Sequence, residues 1–219
     1  MALTSSHLAA KRRAIFLDRD GTLNVDVGYA HRVDDLLLVE NVCPGLRKLQ
    51  ALGFALFVTT NQSGIARGYF SEAQMHAFNA ALCELLRGGG IEIAGIYYCQ
   101  FHPTAGGGAF RRDSPLRKPA PGMLLQAAAD HGLDLAASFA IGDKKSDVAA
   151  GRAAGCRTVL VRTGRAGTGE SELIVTPDFV ADDLLSAAEQ IEARWRTSTA
   201  IPPLDDYAYP ASDFDGAVR

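Results

Sequence analysis

Long hydrophobic runs are missing from this 219-residue sequence. No apolar stretch approaches the roughly 20 residues that a helix needs to cross a bilayer. The opening segment MALTSSHLAAKRR also lacks the apolar centre and cleavage site of a secretory signal. We therefore predict a cytoplasmic protein that does not enter membranes.

An excess of charge of either sign is missing as well. The 22 Lys and Arg residues against 25 Asp and Glu residues give a formal net charge of −3, and the basic residues are scattered. A protein that binds nucleic acid needs a basic stripe or patch to neutralise phosphates. Nucleic acid is therefore not expected as a partner.

Cysteine is sparse, and a nucleotide-binding glycine motif is absent. The four cysteines lie far apart at positions 43, 83, 99 and 156, which is typical of reduced core thiols rather than of a disulfide framework. The turn after the first apolar run has no GxGxxG pattern, which argues against a dinucleotide-dependent dehydrogenase.

Short apolar runs alternate with amphipathic segments along the chain. The runs, each predicted to be a buried strand, are AIFL from residue 14, FALFVTT from 54, AGIYY from 94, SFAIG from 138 and CRTVLV from 156. The segments 43–53, 71–88 and 118–132 have the start and stop signals of helices. This alternation predicts an α/β fold, namely a three-layer Rossmann-like parallel sheet with helices on both faces. Ligands bind such a sheet at the carboxyl ends of its strands.

The chain is predicted to form one domain over residues 1–196, followed by a C-terminal tail over 197–219. The tail contains three prolines and four aspartates, which exclude a long regular element. About 40 residues with one short helix separate the first two strand ends, so no large cap domain is expected there.

Two carboxylates follow the first predicted strand in the segment FLDRDGTLN. Asp18 and Asp20 point the same way from an extended chain, and the following Gly and Thr turn it. The pair could merely cap the turn, but adjacent like charges are costly unless a cation or a shared proton relieves them. Mg²⁺ would keep Asp18 ionised as a nucleophile, while Asp20 carries a proton for a leaving oxygen.

Three further polar segments follow later strands. TTNQSGIARG offers neutral donors for phosphate oxygens, and RKPAPG offers Arg117 and Lys118, which could equally be a solvated basic pair. GDKKSD offers Asp143 and Asp147, although Asp147 could serve only as an acid favoured in the first turn of a helix. Together the four segments predict one pocket for phosphoryl transfer to an aspartate, in which Mg²⁺ and Lys118 balance charge and Thr60 orients an oxygen.

These motifs resemble those of the haloacid dehalogenase superfamily of phosphatases over roughly residues 14–195. The longer segments LDRDGTLNVDVGY, TNQSGIARG, YYCQFHP, RKPAPGMLL and IGDKKSDVAAG are similar to the D-glycero-D-manno-heptose 1,7-bisphosphate 7-phosphatases and the related histidinol-phosphate phosphatases. The resemblance implies Mg²⁺-dependent phosphomonoester hydrolysis through an aspartyl phosphate. The heptose bisphosphate is the favoured substrate, and histidinol phosphate or another sugar phosphate is the alternative.

The resemblance also implies roles for individual residues. Asp18 attacks phosphorus, Asp20 protonates the sugar oxygen and later activates water, and Thr60 and Lys118 steady the phosphoryl group. Mg²⁺ is held by Asp18, by the carbonyl of Asp20 and by Asp143. The implied substrate-binding residues are Arg19, Asp26, Val27, Gly28, Tyr29, Asn61, Gln62, Ser63, Arg117 and Lys144.

Arg117 and Lys144 suit the second phosphate of a bisphosphate, with plain surface solvation of Lys144 as a rival interpretation. Two other classes are weaker alternatives. A non-catalytic phospholigand-binding protein would be expected to have lost Asp18 or Asp20, and a phosphotransferase would need a cap to shield the intermediate from water. The expected partner is a small phosphorylated sugar or related metabolite, and the expected assembly is a monomer or small homo-oligomer.

The loop opened by YYCQFHP commonly binds zinc in these relatives, through C-x-H at its start and C-x-C before the Arg-Lys pair. Here Cys99 is present, but Phe101 stands at the histidine position and Ser114 and Leu116 replace the later cysteines. Cys99 and the displaced His102 cannot form the closed tetrahedral set of structural zinc. Zinc is therefore not expected, and packing of Phe101 near Phe110 is expected to hold the loop.

Overall fold

A computed structural model describes residues 12–165 and 173–197 of the chain. Its centre is one sheet of six parallel strands in the order β3-β2-β1-β4-β5-β6. The strands are β1 Ala14–Leu17, β2 Ala55–Asn61, β3 Ile93–Cys99, β4 Phe139–Gly142, β5 Arg157–Val161 and β6 Phe179–Ala181. The central strand β1 pairs with β2 and β4 on either side, placing Leu17 level with Val58 and Ile141.

Six α-helices connect or follow the strands of the described chain. They are α1 Val42–Ala51, α2 Ser63–Ala66, α3 Glu72–Gly88, α4 Gly122–His131, α5 Lys145–Ala153 and α6 Leu184–Thr197. Short 3-10 turns occur at Val33–Asp35 and Gly108–Phe110. No helix among residues 12–165 and 173–197 is long and apolar enough to cross a membrane.

The three predicted layers are confirmed by the two faces of β1. Ile15 and Leu17 pack into a core shared with α1, α3 and α6, whereas Ala14 and Phe16 pack into a second core shared with α4 and α5. This alternation follows from the two-residue period of a strand, and burial on both faces explains the continuous apolar run.

The predicted elements are confirmed, with boundaries shifted by a few residues, and the structure adds others. All five predicted strands form, as do the helices predicted over 43–53, 71–88 and 118–132 and the helix predicted to carry Asp147, which is α5, while β6, α2 and α6 were not predicted. Between β1 and β2 the described chain forms only a 3-10 turn and α1, so no separate cap domain lies there. Apart from Thr197, which is the last residue of α6, the predicted tail lies outside the described residues, and the boundary at 196 stays a prediction.

The loop between β3 and α4 is held by aromatic packing. The ring centroids of Phe101 and Phe110 lie 6.4 Å apart, which is the contact expected from the sequence. The guanidinium of Arg112 adds a cation–π contact, 3.9 Å from the centre of the Phe101 ring. This loop borders the cavity described next.

Candidate active site

Four strand ends bring the predicted functional residues to one edge of the sheet. Asp18 directly follows β1, Asn61 ends β2, and Asp143 directly follows β4. Lys118 lies in the loop after β3 and returns to the same edge, since its ammonium Nζ is 2.9 Å from Oδ1 of Asp18. Neighbouring parallel strands place their carboxyl ends together, so the convergence predicted from the sequence is the one that the fold produces.

The pair of Asp18 and Lys118 forms the buried centre of the site. Both side chains are at most 5% exposed. Burial alone would raise the pKa of Asp18, but the ammonium groups of Lys118 and Lys144 outweigh it and hold that pKa well below its usual range. Asp18 is therefore ionised at neutral pH, as a carboxylate nucleophile must be.

Lys118 is held in place by backbone as well as by charge. Its ammonium donates to the carbonyl oxygen of Thr59 at 2.7 Å. The side chain of Asn61 brackets the Lys118 peptide, with its Nδ2 donating to the Lys118 carbonyl at 3.0 Å and its Oδ1 accepting from the Lys118 N–H at 3.1 Å. Asn61 thus joins the end of β2 to the loop that carries the lysine.

Asp147 combines the two roles that the sequence left open. Its Oδ2 accepts from the backbone N–H of Lys144 at 3.0 Å, which caps α5, and its Oδ1 lies 2.5 Å from Nζ of Lys118. Burial, followed by the nearby charge of Asp18, raises the pKa of Asp147 to about 7. Gly142 leaves room for this carboxylate, because a Cβ there would lie 2.3 Å from the Asp147 carboxyl carbon.

A set of oxygens beside Asp18 fits a divalent cation. The ammonium of Lys144 lies 3.3 Å from Asp18 Oδ2, 3.2 Å from the Asp20 carbonyl oxygen and 3.1 Å from Asp143 Oδ1. Carboxylate and carbonyl oxygens are the donors that Mg²⁺ prefers. Among the described residues, carboxylates of Asp18, Asp143 and Asp147 also form the one cluster able to hold a metal. The Lys144 side chain is only 24% exposed, and its ammonium occupies the space between these oxygens. Lys144 is therefore not a solvated surface residue.

Backbone groups close to the carboxylate of Asp143 hold it in position. Its Oδ2 accepts from the N–H of Arg165 at 2.7 Å. A Cβ on Gly21, whose φ is +90°, would lie only 2.5 Å from the same oxygen, so the turn after Asp20 requires glycine both for conformation and for space.

Asp20 is held by donors on three sides. Its oxygens accept from Arg19 Nη2 at 3.0 Å, from Asn24 Nδ2 at 2.9 Å and from Gln62 Nε2 at 3.1 Å. The same Gln62 amide donates to Thr60 Oγ1 at 2.8 Å. Asp20 and Thr60 are therefore connected by one side chain at the end of β2.

Two adjoining cavities lie over these residues. The larger, of about 470 Å³, is lined by Asp20, Asp26, Gly28, Tyr29, Asn61, Gln62, Ser63, Gly64, Arg67, His102, Arg117, Lys144 and Arg165. The smaller, of about 180 Å³, is lined by Asp18, Asp20, Thr60, Asn61, Ser63, Arg117, Lys118, Lys144, Ser146 and Asp147. All predicted catalytic residues reach one or the other.

Two predicted substrate-binding residues line neither cavity. The side chain of Val27 is 55% exposed beside the larger one, and Arg19 is fully buried. Conversely, Arg67, His102 and Arg165 line the larger cavity although the sequence did not single them out as substrate-binding residues. Arg67 belongs to the quoted segment TNQSGIARG, so a basic residue near a strand end was the available signal.

His102 and Arg67 present hydrogen-bond donors to each other. Nδ1 of His102 accepts from the backbone N–H of Ala105 at 2.9 Å, so a neutral ring carries its hydrogen on Nε2. Burial and the charges of Arg117 and Arg67 lower the pKa of His102, which favours that neutral ring. Its Nε2 lies 3.4 Å from Nη2 of Arg67, a group that can only donate. Two donors this close suit a shared anionic acceptor.

Cys99 and His102 belong to no metal-binding cluster among residues 12–165 and 173–197. Cys99 is buried, and burial raises the pKa of its thiol. The expectation that this loop lacks zinc stays a prediction.

Comparisons with known proteins agree on the family. The sequence model described as HAD-hydrolase-like matches residues 115–187. The D-glycero-β-D-manno-heptose-1,7-bisphosphate 7-phosphatase of Yersinia pestis is 44% identical over 184 residues, which is 84% of this chain and 97% of that protein. The enzyme of the same name from Escherichia coli K12 is 45% identical over 82% of this chain and 93% of its own length.

A solved structure supports the same grouping. The D,D-heptose 1,7-bisphosphate phosphatase of B. bronchiseptica, in complex with magnesium and phosphate, has a TM-score of 0.73 and 30% identity, and the match covers 83% of this chain and 99% of that one.

Proposed function

This chain belongs to the HAD-like family of D-glycero-β-D-manno-heptose-1,7-bisphosphate 7-phosphatases, and we propose that it removes the 7-phosphate of that bisphosphate with the help of Mg²⁺. The observation that carries the reaction type is the buried contact of 2.9 Å between Asp18 and Lys118 beside a set of hard oxygen ligands. The choice of substrate is supported by the relatives and by the arginines that line the larger cavity.

Asp18, the carbonyl of Asp20 and Asp143 would hold Mg²⁺, which supplies positive charge to offset that of the nucleophile and the phosphoryl oxygens. Lys144 would then be displaced from these oxygens toward the cavity that it already lines. There its ammonium is available to a phosphate, which agrees with the role that the resemblance implied.

In the first step a carboxylate oxygen of Asp18 attacks phosphorus, and the bond from phosphorus to the sugar oxygen breaks. Asp20 gives its proton to that oxygen, so the sugar leaves as a neutral alcohol. Lys118 and Thr60 contact the phosphoryl oxygens during transfer. In the second step Asp20 takes a proton from water as the water attacks phosphorus, which releases phosphate and restores Asp18.

One part of the larger cavity suits a second phosphate on the substrate. Arg117, Arg67 and His102 line it together, and the last two direct donors toward one another. Phosphate oxygens are strong acceptors for such groups. A monophosphate would offer no second phosphate to the facing donors of Arg67 and His102, so the arrangement favours a bisphosphate over histidinol phosphate.

Release of inorganic phosphate from a substrate panel tests this function. The panel contains the heptose 1,7-bisphosphate, the heptose 7-phosphate, histidinol phosphate and hexose phosphates, each with Mg²⁺ and with a chelator. We expect the highest kcat/KM for the bisphosphate and no turnover with the chelator. Preference for histidinol phosphate would assign the alternative substrate. No phosphate release from any compound would indicate a binding protein.

Replacing Arg67 tests the second-phosphate contact. For Arg67→Met we expect kcat/KM for the 1,7-bisphosphate to fall about 10-fold to 100-fold, because one charged hydrogen bond contributes about 1.5–3 kcal/mol. The kcat/KM for the 7-monophosphate should fall much less, and Arg67→Lys should restore part of the loss. Equal losses on both substrates would contradict this assignment.

A further inference from the structure

Arg19 is the largest fully buried side chain in the described structure, and no step above uses it. We propose that Arg19 is a positioning residue, which fixes the carboxyl of Asp20 for proton transfer to the leaving oxygen. The sequence resemblance implied a substrate contact for Arg19, but its guanidinium lines neither cavity. This inference rests on the proposed phosphatase function and deepens it.

The guanidinium of Arg19 donates hydrogen bonds to both carboxyl oxygens of Asp20. Nε and Nη2 lie 3.2 and 3.1 Å from Oδ1, and Nη2 lies 3.0 Å from Oδ2. A two-point contact of this kind restricts rotation of the carboxyl as well as its position. Asn24 and Gln62 complete the set of donors around the same two oxygens.

The guanidinium also binds distant parts of the chain. Nη1 donates to Oδ1 of Asn79 on α3 at 2.9 Å, and Nη2 donates to the carbonyl of Ala30 at 2.7 Å. The guanidinium carbon also lies 4.5 Å from the centre of the Phe78 ring. Arg19 therefore ties Asp20 both to α3 and to the segment that follows Gly28 and Tyr29 on the cavity wall.

The negative charge on the Asp20 carboxyl, which Arg19 contacts, increases as the reaction proceeds. When the phosphorus–oxygen bond breaks, the proton of Asp20 passes to the sugar oxygen and leaves a carboxylate facing the fixed guanidinium. An interaction that is stronger in the transition state than in the ground state raises kcat. The contribution is needed where the leaving oxygen must be protonated, as in a sugar phosphate, and much less where the leaving group departs unaided, as with p-nitrophenyl phosphate.

Comparing these two leaving groups in an Arg19→Met variant tests the proposal. The kcat/KM value reports the first chemical step, and we expect it to fall about 100-fold more for the heptose phosphate than for p-nitrophenyl phosphate. Asn79→Ala keeps the guanidinium but removes its hydrogen bond to α3. The difference in loss between the two substrates should then have the same direction but be smaller, about 3-fold to 10-fold. This variant also serves if Arg19→Met is too unstable to purify.

Arg32→Met is the matched control, because Arg32 is exposed and its guanidinium forms a surface ion pair with Asp35 at 3.8 Å. It should leave both activities at the wild-type level. Equal losses on the two substrates in both test variants would show that Arg19 acts on stability or on phosphate binding and would overturn the proposal. No loss in either would also overturn it. A wild-type enzyme that hydrolyses no sugar phosphate would instead refute the proposed function.

Discussion

Asp18→Asn should lower kcat/KM for the heptose bisphosphate about 10⁴-fold or more, because it removes the carboxylate that becomes the aspartyl phosphate. The amide has the size of the carboxyl but carries no charge and attacks phosphorus poorly. The pKa of Asp18, lowered by Lys118 and Lys144 against the effect of burial, means that the wild-type group is ionised throughout the neutral range. Steady-state phosphate release measures the loss.

The fold of the Asp18→Asn variant should survive. Lys118 keeps its contact with the Thr59 carbonyl and its ion pair with Asp147, so no buried cation is left alone. Circular dichroism and thermal unfolding check this, with Asp34→Asn on an exposed 3-10 turn as the matched acid-to-amide control. Phosphate release by the Asp18→Asn variant above about one hundredth of the wild-type rate would contradict the assignment of the nucleophile.

Lys118→Met should cost both activity and stability. The ammonium is buried between Asp18 and Asp147, and the attraction of those two carboxylates outweighs the effect of burial and raises the pKa of Lys118. Its removal leaves two buried carboxylates without their shared cation, so we expect the free energy of unfolding to fall by about 3–5 kcal/mol. We expect kcat to fall about 10³-fold, because phosphoryl charge loses its buried partner.

Chemical denaturation and phosphate release measure these two effects separately. Lys145→Met is the control, since Lys145 is the first residue of α5, next to Lys144, but lines neither cavity, and the substitution should change stability by less than about 0.5 kcal/mol. A Lys118→Met variant with wild-type stability and activity would show that the buried ion pair is not the centre of the site.

The chemistry at the strand ends could be predicted from the sequence because it depends on local order. Asp18 and Asp143 each follow an apolar strand directly, and a parallel sheet brings such positions together. The helix α6 was also within reach of the sequence, since Leu184, Ala187, Ala188 and Ile191 have helical spacing and form its buried face. Strand β6 has only three residues, too few for a clear alternation.

The remaining parts of the site depend on contacts between distant segments. The burial of Arg19 follows from Asn79, which is 60 residues away, and from the Ala30 carbonyl. The hydrogen position on His102 follows from a turn at Ala105. Neither follows from the periodicity of a strand or helix. The resemblance therefore implied a substrate contact for Arg19, and His102 was considered only as a displaced member of an incomplete zinc set.

The most direct test of the proposed function is to ask which phosphate leaves. Purified protein is incubated with D-glycero-β-D-manno-heptose 1,7-bisphosphate and Mg²⁺, and the products are followed by phosphorus NMR. We expect inorganic phosphate and the heptose 1-phosphate to accumulate in equal amounts, with no reaction when a chelator is present. Accumulation of the 7-phosphate, or an unchanged bisphosphate in the presence of Mg²⁺, would contradict it.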